Sequence, residues 1–169
     1  MAFCTVCGAA LETRLHEGEG GPVPWCPACG DWRFERFNAA VSMVTRDRAT
    51  GNLLLVRQYG RKDWILVAGY LKKGETAEEA VRRETREETG LPVLAMRFNR
   101  SRYFPPSETL LLNFATETEG EVVPNGEIDE YVWVPPEKAV EIIKPASFAQ
   151  FFLHSALGLA PAAGTAAGK

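Results

Sequence analysis

Several features are missing from this 169-residue sequence, and each absence excludes something. No charge sign predominates: Lys+Arg number 19 against 22 for Asp+Glu, a formal net charge of −3. That balance gives no basic field for a nucleic-acid partner. Long apolar runs are missing too. The longest candidate, Phe148 to Leu159, is broken by Gln150, His154, Ser155 and Gly158. It falls short of the ~18 residues that span a bilayer, reads as a buried helix and argues against a membrane partner. The opening Met1-Ala2-Phe3-Cys4 has neither the basic nor the apolar region of a secretory signal, so a cytoplasmic protein is expected. Cysteine does not occur after position 29. What remains, 46% hydrophobic and 24% charged residues, is the profile of a globular chain with one sizeable core and room for a small appendage.

The cysteines themselves are informative. Cys4 and Cys7 form one pair, Cys26 and Cys29 another, each with two residues between. A reducing cytosol disfavours disulfides, and this spacing lets one tetrahedral Zn²⁺ collect all four thiolates. Gly8 and Gly30 follow the second cysteine of each pair and permit the tight knuckle that turns backbone amides toward sulfur. Two unrelated reduced pairs are the alternative. A redox pair fits less well, because no strand-helix pattern surrounds either one.

Punctuation along the chain divides it into a ribbon at residues 1–31, a main domain at 32–157 and an Ala/Gly-rich, disordered tail at 158–169. The aromatic and basic segment from Trp32 to Asn38 joins the first two. Strand-like runs occupy Ala39–Arg46, Asn52–Tyr59, Trp64–Ala68, Leu94–Arg100, Thr109–Thr116 and Glu130–Val134. Helical patterns cover Thr76–Thr89, Pro136–Ile143 and Ser147–Leu157. The class is α/β, of the mixed α+β kind.

The first helix carries the chemistry. Glu78 precedes Arg82 by four residues and Glu79 precedes Arg83 by four, as on a solvated face laced with ion pairs. At about 100° per residue, however, Glu84, Glu87 and Glu88 fall on the stripe of Ala77, Ala80, Val81 and Leu91, opposite Glu79, Arg82 and Arg86. Carboxylates on an inward face need cations to neutralise them. Such hard oxygen ligands suit Mg²⁺ or Mn²⁺, which in turn favour phosphate oxygens. Before the helix, Gly69 and Gly74 flank Tyr70-Leu71-Lys72-Lys73. The glycines allow backbone carbonyls to approach the carboxylates, and the lysines either screen substrate phosphates or simply aid solubility.

Gly69, Glu75, Arg83, Glu84, Thr85, Glu87, Glu88, Gly90 and Leu91 together resemble the signature box of the Nudix hydrolase family. Thr85 departs from the aliphatic residue usual at its position, which predicts looser packing but removes no ligand. The resemblance implies a Nudix fold, a mixed sheet held between helices with the box as loop-helix-loop. It implies Glu84 and Glu88 as principal Mg²⁺ or Mn²⁺ ligands, the carbonyl of Ala68 completing the shell, and Glu87 holding a further metal or its waters. Glu75 and Arg83 would brace the helix, with Gly69 and Gly90 as its structural glycines. The family's base is often a glutamate outside the helix; Glu127 is favoured over Glu130 here.

A zinc ribbon before such a domain resembles the bacterial NADH pyrophosphatase group within the family. Ser101-Arg102-Tyr103-Phe104-Pro105-Pro106-Ser107 is similar in part to that group's aromatic and proline-rich signature but lacks its Gln-Pro-Trp core. Pro145 to Ala149 is similar to its closing loop-to-helix segment. A plant branch cleaving FAD and ADP-ribose shares the shorter layout. Tyr70 stands where the group carries a base-stacking aromatic, and Phe34 near a second one contributed across a homodimer; core packing is the plainer reading of Phe34. The function this resemblance implies is metal-dependent hydrolysis of a nucleoside diphosphate linked to another moiety (NADH, ADP-ribose, FAD or similar), releasing a nucleoside monophosphate. A nucleoside triphosphate housecleaning pyrophosphatase is one alternative. A nucleotide-sensing, nucleic-acid-binding module is another, and the retained carboxylates speak against it.

Overall fold

The computed structural model describes residues 2–160. The chain divides into two compact units between Phe37 and Asn38. Most of the expected tail, from residue 161 on, lies outside the described residues.

The first unit is a three-stranded antiparallel sheet of β1 (Glu12–His16), β2 (Gly21–Cys26) and β3 (Asp31–Trp32), in that spatial order. Its two knuckles are built alike. The amide of Gly8 donates to the Cys4 carbonyl at 2.8 Å, and that of Gly30 to the Cys26 carbonyl at 2.9 Å. Both glycines have positive φ, 75° and 64°, where a side chain would clash with its own backbone. Val6 and Cys29 amides then point at the Cys4 and Cys26 sulfurs, each at 3.4 Å. Aromatic rings supply the little packing a unit this small can manage: Trp32 stands edge-on to both Trp25 and His16, at 4.9 and 4.6 Å.

The second unit is a sheet with helices on both faces. Its strands run β7 (Val93–Phe104), β8 (Thr109–Thr118), β4 (Asn38–Asp47), β5 (Leu53–Gln58), β9 (Ile128–Val134), and β6 (Val67–Tyr70) also pairs with β4. The β4–β8 pairing is parallel and the others are antiparallel, so the sheet is mixed, as expected. Alternation divides the core. Val41, Met43, Leu54 and Val56 face α1 (Ala77–Thr89) through Ala80 and Val81. Val44, Leu53 and Leu55 face α2 (Pro136–Ile142) and α3 (Phe148–Ala156) through Ala139, Phe152 and Leu153. Among the described residues no helix is long and apolar enough to cross a membrane.

Some element limits differ from the sequence reading. The third strand of the main sheet begins at Val67 and runs through Gly69 to Tyr70, because the backbone from Ala40 to Met43 pairs with it there. Trp64 and Ile65 make only isolated bridges. The strand after α1 extends to Phe104, since β8 continues beside it to Thr109.

Candidate active site

Helix α1 is set firmly at both ends. Thr76 accepts from the Glu79 amide, and the Glu79 carboxylate accepts from the Thr76 amide at 2.8 Å, a reciprocal cap that quenches two amides the helix leaves unpaired. Gly90 ends it at φ 73°. The carbonyls of Glu88 and Thr89, also beyond the reach of the helix's own ladder, accept from Asn125 and Val123 at 3.0 and 2.8 Å. Those two bonds tie the loop leading to Glu127 onto the C-terminal end of α1.

Thr85 departs from the box without leaving its hydroxyl unpaired. It is buried, and its hydroxyl donates to the Val81 carbonyl at 2.7 Å, while the Thr89 hydroxyl donates to the Thr85 carbonyl at 2.5 Å. Each buried hydroxyl is satisfied within the helix, so its desolvation is offset.

The carboxylates are placed unequally. Glu88 is 3% exposed, Glu84 is partly buried and Glu87 is exposed. Glu87 therefore does not continue the inward stripe; a residue turned by about 100° from a buried neighbour reaches the rim, where it meets Arg83 at 3.2 Å and Lys72 at 3.6 Å. Arg83 is the hub of the box. It forks onto both oxygens of Glu75 at 2.7 and 2.8 Å, donates to the Tyr70 carbonyl at 3.0 Å and binds Glu84. That fork holds the Glu75 carboxyl down at about 2. Gly69 lies directly beneath Glu84: a Cβ at this position would sit 2.0 Å from the Glu84 carboxyl carbon.

Burial pushes the Glu88 carboxyl up to about 8, and the charges of Glu84, Glu127 and Glu87 add to it; the Gln58 amide, donating at 2.6 Å, only partly opposes them. A buried carboxylate beside others is repelled by them unless a cation intervenes.

These residues open into a cleft of about 740 Å³, lined by Glu84, Glu88, Glu127, Gly69, Ala68 and Tyr70 among others. Tyr70 is 57% exposed and Lys72 stands on the same wall, whereas Lys73 does not. Phe104 closes another side, its ring edge-on to Phe148 at 5.3 Å, with the Arg102 guanidinium over Phe148 at 4.7 Å. The stretches 101–107 and 145–149, read separately in the sequence, thus meet through one ring pair. Glu127 reaches the cleft from the loop before β9; Glu130 instead pairs with Arg57 on the sheet at 2.7 Å. Phe34 belongs to the first unit, where its half-exposed ring stands edge-on to His16 at 5.7 Å.

Three neighbours of the site were not singled out from sequence. Gln58 is one: alternation from Leu54 and Val56 puts it on the face toward α1, a signal that was available. Tyr59 donates its hydroxyl to Glu127, which keeps the phenol protonated, pushed up to about 12. Arg61 adds a cationic side chain to the cleft.

In the first unit the four sulfurs lie within 4.8 Å of one another, with Cys4–Cys29 at 3.9 Å and Cys7–Cys26 at 3.5 Å. Sulfurs tetrahedrally placed about 2.3 Å from zinc are about 3.8 Å apart, so the set fits that ion. Arg33, also not singled out, donates to Cys4 Sγ at 3.2 Å. Burial pushes the Cys4 thiol up, but the Cys7 amide, the Arg33 guanidinium and the Val6 amide outweigh it and bring the thiol down to about 5, while hydrogen bonds with Cys7 and Cys26 push the neighbouring Cys29 thiol up to about 12.

Known proteins share the family and the fold of this chain. Relatives include proteins described as NAD-capped RNA hydrolase NudC, from Stutzerimonas stutzeri, 30% identical over 157 residues (90% of this chain, 54% of that one), and from Deinococcus radiodurans, 34% identical over 138 residues (78% and 48%). The chain spans about half the length of these relatives. A NUDIX hydrolase structure from Nitrosomonas europaea superposes with TM-score 0.65 at 22% identity, covering 96% of both chains. The NUDIX domain of Shewanella oneidensis NrtR, solved with ADP ribose, gives TM-score 0.61 at 14% identity, covering 79% of this chain and 92% of that one. At such identities these structures speak for the fold alone. The family model described as the NUDIX domain matches residues 36–153, taking in the whole of the box around α1, and the chain belongs to the Nudix family.

Proposed function

We propose that the second unit hydrolyses the phosphoric anhydride of a nucleoside diphosphate linked to another moiety, releasing a nucleoside monophosphate. The observation that carries this reading is the convergence of Glu84, Glu88 and Glu127 on one cleft beneath which Gly69 leaves no room for a side chain. A buried carboxylate pushed up by its neighbours is the environment a divalent cation relieves, so the donor set fits Mg²⁺ or Mn²⁺. Glu84 and Glu88 would hold the ion with the Ala68 carbonyl, and Glu87, on the rim, would serve a second ion or its waters. When bound, the ion polarises the diphosphate and offsets charge as the bond breaks.

The remaining steps fall to the chain itself. Glu127 takes the proton of a water molecule as its oxygen attacks one phosphorus. The anhydride P–O bond on the far side breaks, and a phosphate leaves on each fragment. Lys72 and Arg61 face the diphosphate with positive charge. Arg83 and Glu75 fix the entrance to α1, and Gly90 its exit. The four cysteines Cys4, Cys7, Cys26 and Cys29 hold a structural Zn²⁺ whose coordination is complete, leaving no open position for substrate.

Aromatic walls support a substrate bearing a base on one end: Tyr70 and Phe104 line the same cleft. Two rings in one cleft suit a molecule with a group to stack at each end of its diphosphate, so dinucleotides such as NADH are favoured over triphosphates. Phe34 would add a further ring where a homodimer brings it to the site of a partner copy. The test is a panel of NADH, NAD⁺, ADP-ribose, FAD, NAD-capped RNA, dinucleoside polyphosphates and dNTPs with Mg²⁺ or Mn²⁺, products resolved by chromatography. Preference for a triphosphate over every diphosphate-linked compound would overturn the substrate class and leave the metal chemistry standing.

A further inference from the structure

The turn that ends β5 holds a conformation its residues do not favour. Tyr59 has φ 55°, the left-handed region that a bulky side chain with no local hydrogen-bonding group rarely enters. Its ring is 68% exposed, so core packing does not force it there. The surroundings do. The β5–β9 register slips between Arg57 and Gln58, leaving Asp129 of β9 as the extra residue beside the turn. The Gly60 amide donates to Asp129 Oδ2 at 2.7 Å, and the Arg61 amide closes the turn on the Gln58 carbonyl at 3.1 Å. Consecutive side chains then reach two different carboxylates: Gln58 donates to Glu88 and Tyr59 to Glu127.

Glu127 needs such a partner. Its backbone is anchored, through the Val123 and Asn125 amides on the end of α1 and through its own amide on Asn125 Oδ1 at 3.0 Å. Its side chain is long and exposed, and an exposed glutamate samples many rotamers that do not face the reacting atoms. A strained residue at a functional cleft, fixed by its neighbours and bonded to a reactive group, is the pattern of stored local strain serving pre-organisation.

We infer that Tyr59 is a positioning residue, held in its left-handed turn by Gly60 and Asp129, whose hydroxyl fixes the direction in which the Glu127 carboxylate faces the cleft. This rests on the reading of Glu127 as the base. Tyr59 takes no proton and touches no substrate atom in this role; its effect passes through Glu127.

The experiment is a double-mutant cycle in the full chain with Mg²⁺ and the best diphosphate substrate, kcat, KM and melting temperature being measured together. Tyr59→Phe keeps the ring and removes the hydroxyl. The expected result is a kcat loss of about tenfold, the order by which a loosened base costs rate, with KM within twofold and Tm unchanged. In the Glu127→Gln background the same substitution costs nothing further. Tyr59→Gly, which also relieves the backbone, keeps or raises Tm and loses the same factor in kcat. Tyr59→Phe with kcat within twofold of the parent, or with its full loss retained beside Glu127→Gln, overturns the inference about Tyr59 alone. Glu127→Gln retaining kcat within twofold overturns the base assignment, and the inference with it.

Discussion

At the scale of single residues, Gly69 and Glu84 share one small space. A methyl group on Gly69 would meet the Glu84 carboxyl carbon at 2.0 Å, and the carboxylate, as the end of a flexible side chain, would move before the strand did. Gly69→Ala is therefore expected to keep its melting temperature within a few degrees while kcat drops as far as it does in Glu84→Gln. A kcat within a few-fold of the parent would show that the position of Glu84 is not decisive. Glu88→Gln isolates charge from shape: the amide fills the same volume but cannot balance a cation. Turnover at saturating Mg²⁺ should fall at least about a hundredfold, the order that loss of a charge-stabilising group costs. The fold should hold, because burying an amide is easier than burying a carboxylate. Tyr70 acts on binding instead. Stacking on a tyrosine ring contributes about 1 kcal/mol, so Tyr70→Ala should raise KM several-fold and leave kcat nearly unchanged if the contact is equal in ground and transition states. Steady-state kinetics on the favoured substrate separate the two parameters.

At the scale of elements, the loop-helix-loop of the box is pinned by Arg83 more than by its own propensity. The Glu75 carboxyl is held at about 2 in the folded chain against its ordinary 4.5, with the Arg83 guanidinium as the main cause and the Lys72 amide next. A depressed carboxyl stabilises the fold above the higher of these values, and that contribution is lost as pH falls toward the lower one. Glu75→Gln should therefore be less stable than the parent at pH 6, with the gap in urea midpoint closing between pH 4.5 and pH 2. A gap that stays constant across this range would mean that the ion pair is not the source of the stability. Gly69, Glu75, Arg83 and Gly90 were legible in the sequence because the box is a local pattern, and α1 at Ala77–Thr89 begins one residue after the expected Thr76 and ends at the expected Thr89. The exposure of Glu87 and the bonding of the Thr85 hydroxyl are not legible there, for a physical reason. A helical wheel gives angles about the axis but not the width of the covering sheet, so it placed Glu87 inside. It also carried no information on whether a buried hydroxyl finds the carbonyl four residues back.

At the scale of the whole molecule, two units of different stabilisation occupy one chain. The first has few buried apolar residues, Val23 and two of the cysteines among them, and a structural metal would supply the cross-link that so small a core lacks. Purified protein is expected to carry about one zinc per chain by elemental analysis. Cys26, fully buried, is a sensitive probe: Cys26→Ser should lose zinc and the order of the ribbon, seen as lost amide protection over residues 4–32, before it affects the carboxylate cluster of the second unit. Zinc retained at full occupancy in that variant would refute the four-thiolate site. The cysteine knuckles, the box and the mixed class of the main domain are readable along the chain, because each follows from short-range spacing: two residues between thiols, one turn between carboxylates, alternation along strands. Folding in three dimensions sets which glutamate outside the box faces the cleft, brings the Phe104 and Phe148 rings together, and lets Gln58 and Tyr59 reach two different carboxylates. Those placements depend on strand register, on a bulge and on loop bonds between residues far apart in sequence, and these energies exist only once the sheet has closed.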